Sequence, residues 1–317
     1  MTLHISGISR GLSLQVSDRL VSGGIIDPFA NKNLIYWAKG SLVSIAYTGL
    51  AYGLSPSNAN TPTDEWIAEK LWGEPIPKGP DGVKPATFVY QRIHKWLDIG
   101  QSIKLLADEL CESLAKLPNM HQAESFEMII VGWEETRRRG VHPIAVQILK
   151  PRGDKPIEVK RCKRDWYFGS KAAFFLNPSD YVSTDEFKQL IKNRHPMSVD
   201  DWEDLFVDCT RQVSAKYPDK VGPNCLSILL PPLNAAPIRI RFVPATLHTA
   251  TLLGHKFPVV FSPWIIGPHG CTAPAIMKGG FNYQMGPFVI NMEGPTVTEK
   301  QKGILLYMGS LNRPRPF

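Results

Sequence analysis

Apolar and polar positions alternate from the start of the chain. Leu12, Leu14 and Val16 interleave with Ser13, Gln15 and Ser17, the period-two pattern of a strand with one buried face. With the residues before it, this predicts two strands over 3–17. A second pair is predicted over Asn33–Trp37 and Leu42–Ala46, joined by Ala38-Lys39-Gly40-Ser41, whose glycine suits a hairpin turn. The period then changes. Thr61-Pro-Thr-Asp-Glu-Trp opens a helix with Thr63 as N-cap and acids in the first turn, running to about Trp72. Gly73–Pro85 is a proline- and glycine-rich loop. A long helical pattern follows to about Leu117, carried by Trp96, Ile103, Leu110, Leu114 and Leu117.

Three strands are predicted next, over Phe126–Trp133, His142–Leu149 and Ile157–Cys162, with His142 as a turn residue before Pro143. An apolar stretch, Trp166–Leu176, leads into two helices. One covers about Thr184–Asn193. The other starts at Ser198, with Asp201 three residues on in a capping-box-like arrangement and Trp202, Leu205, Phe206, Cys209 and Val213 on one face. After Gly222-Pro223, Cys225–Leu230 reads as a buried strand. Strands and helices are thus grouped, not alternating. That order predicts an α+β fold of two sheets face to face with helices outside, not a βαβ sheet. From Pro231 proline and glycine become dense, with short strand candidates at Ile238–Val243, Val259–Phe261, Phe288–Met292 and Ile304–Met308. The expected organisation is one domain over 1–230 and a β-rich extension over 231–317.

Composition narrows the class. The chain has 317 residues, 43% hydrophobic and 21% charged, which fits a folded globular protein and excludes wholesale disorder. The net charge of +7 permits contact with nucleic acid or an acidic partner. The basic runs are short, however: Arg137–Arg139, then Lys160, Arg161, Lys163 and Arg164. A solvated face explains them better than a nucleic-acid surface. The five cysteines, Cys111, Cys162, Cys209, Cys225 and Cys271, form no C-x-x-C pair and no zinc spacing. Free thiols in a reducing compartment fit this usage, and no apolar run is long enough to span a bilayer. The chain reads as cytoplasmic. No P-loop, dinucleotide fingerprint, H-E-x-x-H or G-x-S-x-G motif is present.

Individual residues suggest a chemistry. Thr2 precedes a strand, and Asp18 follows it by sixteen residues, in Leu-Ser-Leu-Gln-Val-Ser-Asp18-Arg19. Lys32 opens the next predicted strand, and Ile45-Ala46-Tyr47-Thr48-Gly49 ends the one after it in a glycine turn. Further on stand Val131-Gly132-Trp133, Tyr167-Phe168-Gly169-Ser170 and Asp219-Lys-Val-Gly222. Over residues 2–230 this series resembles the proteasome β-type subunits, which are N-terminal-nucleophile (Ntn) hydrolases. The interval from Thr2 to Lys32 is two residues shorter than the family's, and Val221 stands where a serine is expected.

The resemblance implies a four-layer αββα sandwich with a β-rich C-terminal extension. It also implies a threonine peptidase that cleaves amide bonds, with peptides or proteins as substrate, assembly into a ring of copies, and no cofactor or metal. Thr2 would be the nucleophile once Met1 is removed, and its free α-amine, with an ordinary pKa of about 7.7–8.0, the base. Lys32 would keep that amine unprotonated and Asp18 would pair with Lys32. The Gly49 N–H would bind the oxyanion, Ser170 would support the amine and Asp219 would orient Ser170. Each residue also has a plainer role: a strand residue, a turn-capping acid, a surface lysine or a turn glycine. His4 falls on the first strand beside Thr2 and reads as a core or surface histidine ahead of a groove-lining one. A catalytically inactive scaffold or binding module of the same fold is the alternative function. A nucleic-acid-associated protein is the third, motivated only by the charge.

Overall fold

Burial parity is what organises this chain. Along its first strands, odd and even positions go to different layers, and the same holds in the strands that face them. The structure is a computed structural model. It describes residues 3–9, 11–21, 30–55, 61–73, 75–76, 88–89, 96–117, 124–161, 173–177, 182–194, 196, 198–233, 236–245, 248–252, 255–268, 270–272, 276–278, 282–285 and 288–292. Thr2, Ser170, Cys162 and the strand candidate at Ile304–Met308 lie outside these.

The elements up to residue 161 are β1 (His4–Ile8), β2 (Ser13–Asp18), β3 (Asn33–Ala38), β4 (Ser41–Thr48), α1 (Thr63–Trp72), β5 (Phe88–Val89), α2 (Ile99–Ala115), β6 (Phe126–Thr136), β7 (Gly140–Lys150) and β8 (Glu158–Arg161). Then come β9 (Ala173–Asn177), α3 (Thr184–Arg194), α4 (Val199–Lys216), β10 (Cys225–Leu230), β11 (Ile238–Val243), β12 (His248–Leu252), β13 (His255–Phe261), β14 (Ile265–Gly267), β15 (Gly270–Thr272), β16 (Ile276–Lys278), β17 (Asn282–Met285) and β18 (Phe288–Met292). The fold is mixed α+β, with two large sheets and four helices among the described residues. One sheet runs β17-β18-β11-β10-β2-β1-β9 and the other β5-β15-β14-β3-β4-β6-β7-β8, beside a small β12-β13-β16 sheet.

Three apolar clusters follow from the parity. Leu3, Ile5, Leu14 and Val16 pack against Phe187 of α3 and Phe206 of α4. Leu34, Tyr36, Val43 and Ile45 pack against Trp66 of α1 and Leu106 of α2. Ile35, Leu42 and Trp133 of one sheet meet Leu226, Ile228 and Phe242 of the other. Each such apolar side chain contributes roughly 1.5–3 kcal/mol relative to an exposed one. The layer between the sheets also holds a polar bridge. Gln15 Nε2 donates to Ser6 Oγ at 3.0 Å and to the Ile129 carbonyl at 3.2 Å, while Ser44 Oγ donates to Gln15 Oε1 at 2.6 Å. Those bonds satisfy polar atoms that would otherwise be costly to bury.

Several local expectations hold. The hairpin turn has Gly40 at φ 71°, between Ala38 and Ser41, which pair. Ser198 and Asp201 form a reciprocal capping box at the start of α4. Others are corrected. Thr63 is not the N-cap of α1; Pro62 occupies that position, and the Thr63 hydroxyl donates to the Leu50 carbonyl at 2.7 Å instead. The proline side chain offers no acceptor to the first-turn N–H groups, and the Thr63 hydroxyl instead ties the helix to the segment that follows β4. Helix α2 begins only at Ile99, capped by Asp98 with Gln101, so Trp96 stands outside it and donates to the Trp37 carbonyl. His142 is a strand residue of β7, opposite Glu134, with Nε2 at 3.4 Å from its carboxylate.

The stretch after Pro231 contributes to both large sheets. β11 pairs with β10 and accepts β18 in parallel on its other edge. β14 pairs in parallel with β3 and carries β15 and β5 beyond it.

Candidate active site

Asp18 ends β2 with its side chain wholly buried, and four donors converge on its carboxylate. The Leu3 N–H donates to Oδ1 at 2.8 Å. The Leu20 and Gly222 N–H groups each donate to Oδ2 at 3.0 Å. The Lys32 ammonium donates to Oδ2 at 3.1 Å and also to the Leu20 carbonyl. A carboxylate offers about four acceptor sites, and here four donors gather on it, one at Oδ1 and three at Oδ2. Lys32 is only 2% exposed. Neither charge would be tolerable in the interior alone; pairing and added hydrogen bonds offset the loss of water.

Three chain segments deliver these groups. The Asp18 N–H donates back to the Leu3 carbonyl at 3.1 Å, so β1 and β2 are locked together where the chain enters the sheet. Lys32 precedes β3, and its carbonyl accepts from the Tyr47 N–H at 3.1 Å, next to the end of β4. Gly222 leads into β10. A Cβ there would stand 2.7 Å from Leu20 Cβ, so glycine is what lets its N–H reach Asp18. Arg19 is buried beside the pair, its guanidinium 5.2 Å from the Phe242 ring centre and its Nε donating to the Ala30 carbonyl.

His4 is buried on β1, its nearest strand neighbour on β2 being Ser17. Burial, and then the charge of Lys32, push its imidazole down to about 3, so it is neutral at physiological pH. Burial pushes the Cys225 thiol, at the start of β10, up to about 12, which keeps it in the unreactive thiol form. Cys209 and Cys271 are held there for the same reason.

The structure therefore brings Asp18 and Lys32 together and joins them to the residue after Thr2. Gly49 follows β4, at the end of the strand that begins the contact with Lys32. Its φ of 106° and the Ser125 carbonyl, 2.4 Å from where a Cβ would sit, require glycine at this position. Asp219 is exposed on the turn after α4. Leu20 stands in the cluster without having been singled out by sequence; Gly222 was quoted only as the end of Asp219-Lys-Val-Gly222, and His4 is the buried histidine that the sequence favours over a groove-lining one. Leu20 and Gly222 act through backbone N–H groups, which carry no residue signature, and an isolated histidine on a strand has no motif. A separate cavity of about 450 Å³ between α3 and α4 shares no residue with this cluster. Among the described residues no group of three or more His, Cys, Asp or Glu could hold a metal ion. No helix among them is long and apolar enough to cross a membrane.

No protein-family model matches the sequence, and no curated protein matches it. Several solved structures are similar to it. A Gly-1 mutant of Anbu from Hyphomicrobium sp. strain MC1 is 12% identical over 77% of this chain and 89% of its own, with a TM-score of 0.48. Anbu (ancestral beta-subunit) from Yersinia bercovieri is 12% identical over 73% and 82%, with a TM-score of 0.45. The helical assembly of the Anbu complex from Pseudomonas aeruginosa is 12% identical over 100% and 98%, with a TM-score of 0.46.

Proposed function

We propose that this chain is a threonine-type Ntn hydrolase that cleaves amide bonds in peptides or proteins, with Thr2 as nucleophile. The observation that carries this reading is the buried Lys32–Asp18 pair, 3.1 Å apart, whose carboxylate also holds the N–H of Leu3. One peptide bond separates that N–H from residue 2. An ammonium fixed this close to the start of β1 disfavours protonation of a neighbouring amine and so keeps it basic. In the proposed reaction the Thr2 hydroxyl oxygen attacks the amide carbonyl carbon and its proton passes to the α-amine of Thr2. The amine then gives that proton to the departing amine, leaving an ester on Thr2 that water hydrolyses. Gly49 is the proposed oxyanion donor, and Ser170 with Asp219 the proposed support for the amine. The three apolar clusters support a four-layer αββα arrangement, with 231–317 as a β-rich extension that supplies strands to both sheets.

The reading requires Thr2 to carry a free α-amine in the working protein, which the intact mass of the purified chain tests. An electrophilic threonine-directed probe should then label residue 2, and Thr2→Ala should lose both labelling and amide hydrolysis. Undiminished hydrolysis by Thr2→Ala would refute it. A second reading, an inactive scaffold of the same fold, is favoured by the exposure of Asp219. It expects a free Thr2 that no probe labels. Both readings carry assembly into a ring of identical copies, which the family resemblance implies and native mass spectrometry would count.

A further inference from the structure

We propose that one corner of the second large sheet binds single-stranded nucleic acid, with Lys39, Arg137, Arg138 and Arg139 taking the phosphates and Trp96 a base. Along the chain the three arginines are a short run that a solvated turn explains. The fold gives them neighbours. The Glu135 N–H donates to the Gly40 carbonyl at 2.8 Å, so the β3–β4 turn, with Lys39, lies against the β6–β7 turn, with the three arginines. On the other side of β3 the segment 96–98 extends the sheet. Lys39 pairs in parallel with Asp98, its N–H donates to the Leu97 carbonyl at 2.8 Å, and the Trp96 indole donates to the Trp37 carbonyl at 3.0 Å. Neighbouring strands stand about 4.8 Å apart, so four cations and an indole share a surface roughly 20 Å wide.

Charge and exposure single this corner out. All four cations are exposed, and none makes an ion pair among the described residues. The acids beside them are mostly engaged. Asp98 caps α2 by accepting from the Gln101 N–H, and the Glu134 carboxylate lies 3.4 Å from His142, which leaves Glu135 against the four. Of the four large apolar side chains exposed among the described residues, two stand here: Trp96 at 40% and Val141, opposite Glu135, at 41%. Guanidinium groups grip phosphate oxygens in pairs, and they do the same with carboxylates. Charge alone would therefore suit an acidic protein equally, and the indole decides. Its N–H is already used by Trp37, so what it offers is a flat exposed ring, on which a base stacks and a carboxylate does not. The bases of a duplex are stacked on one another, so the surface fits a single strand. Strand β4 runs from this corner, at Ser41, about 25 Å to Thr48 beside the candidate active site. The two surfaces are separate, and this inference stands whether or not the chain is a hydrolase.

The test titrates a fluorescein-labelled oligo(dT) with the full-length chain by anisotropy across a salt series, beside a labelled duplex and labelled poly-glutamate, with a melting curve for each variant. The expected result is binding whose affinity falls with salt at a log–log slope of about −3, at roughly 0.7 per phosphate for four contacts. Arg137→Gln, Arg138→Gln and Arg139→Gln together should flatten the slope to about −1 and weaken binding about tenfold or more. Lys104→Gln, Lys116→Gln and Lys192→Gln remove the same charge from exposed positions elsewhere and should change it by less than about threefold. Trp96→Phe keeps a face for stacking and Trp96→Leu keeps only bulk. Both lose the bond to Trp37, so their difference reads stacking alone: the first should stay within about threefold of the parent, and the second should bind about tenfold more weakly than the first at an unchanged slope. No binding of oligo(dT) at low salt would overturn the proposal. Equal losses in the two charge triples would also overturn it, since the net charge and not this corner would then be responsible. So would a duplex bound as tightly as the single strand. Poly-glutamate bound as tightly as oligo(dT), or Trp96→Leu equal to Trp96→Phe, would reject nucleic acid and point to an acidic protein.

Discussion

Lys32 Nζ sits 3.1 Å from Asp18 Oδ2, with the two side chains 2% and 0% exposed. In a medium that cannot solvate either charge, each is the condition for the other's burial. The pair also couples three distant segments, because Asp18 holds N–H groups of Leu3, Leu20 and Gly222.

Replacing Asp18 by Asn should therefore cost more than its small change of shape suggests. The buried Lys32 ammonium would lose the carboxylate it is paired with, a loss on the order of 3–5 kcal/mol. Urea denaturation would measure it. Lys32→Met should recover part of that loss in the Asp18→Asn background, giving a coupling well above the ~0.5 kcal/mol scatter of independent sites. Additive losses would show that the pair is not a unit.

Gly49 and Gly53 both have positive φ, at 106° and 93°, but only Gly49 is hemmed in. A Cβ at Gly49 meets the Ser125 carbonyl at 2.4 Å and Phe126 Cα at 3.0 Å, whereas Gly53 has nothing within 4 Å. Gly53→Ala should cost only the conformational penalty, about 1 kcal/mol. Gly49→Ala should lose about 2 kcal/mol or more by chemical denaturation. Equal losses would mean that the contact at Ser125 relaxes freely.

Glu127, on β6 opposite Thr48, is held protonated up to about 7 by burial, against an ordinary 4.5, while Gln147 Nε2 donates to it at 2.6 Å. Its folded pKa is thus raised. Between pH 4.5 and 7 the folded chain keeps a proton that the unfolded chain releases. The stabilisation is complete below about 4.5 and lost as pH rises to 7, at about 1.4 kcal/mol per pH unit. Glu127→Gln should flatten this slope and make the chain more stable than the parent at pH 8. An unchanged slope in urea midpoints across that window would rule Glu127 out as its source.

Glu203 on α4 is 1% exposed and accepts from Arg239 at 2.7 Å and Arg241 at 3.3 Å, as well as from Ser227. Its neighbour Asp200 binds Arg239 at the surface. Glu203→Ala should destabilise by about 1–3 kcal/mol and Asp200→Ala by under about 1 kcal/mol, because Arg239 and Arg241 keep Asp200 and Asp204 while the buried Ser227 hydroxyl loses its acceptor. Comparable losses would place the network's weight at the surface instead.

Much of this was legible along the chain. Leu12–Ser17 alternates in sequence, and its buried faces divide in the same way: Leu14 and Val16 toward helices, Gln15 toward the second sheet. Ser198 with Asp201 is a local signal and forms the local structure expected of it. Trp96 misled because a helical spacing of bulky residues also suits a chain that runs back over β3, where its indole finds the Trp37 carbonyl. The site was legible only in its charges: Asp18 and Lys32 stand out as residue types, but Leu20 and Gly222 take part through the backbone.

By itself the sequence determined which positions face oil and which face water, and so the strands, the capped helices and the grouping that makes two sheets. It also supplied one acid and one base near the entry of the chain. Tertiary structure alone decided that these two meet, that Gly222 arrives from 204 residues away to share the carboxylate, and that His4 is sealed beside them. The reason is physical: periodicity is a property of neighbours along the chain, whereas the strength of a charge or hydrogen bond depends on how much water the rest of the fold has excluded.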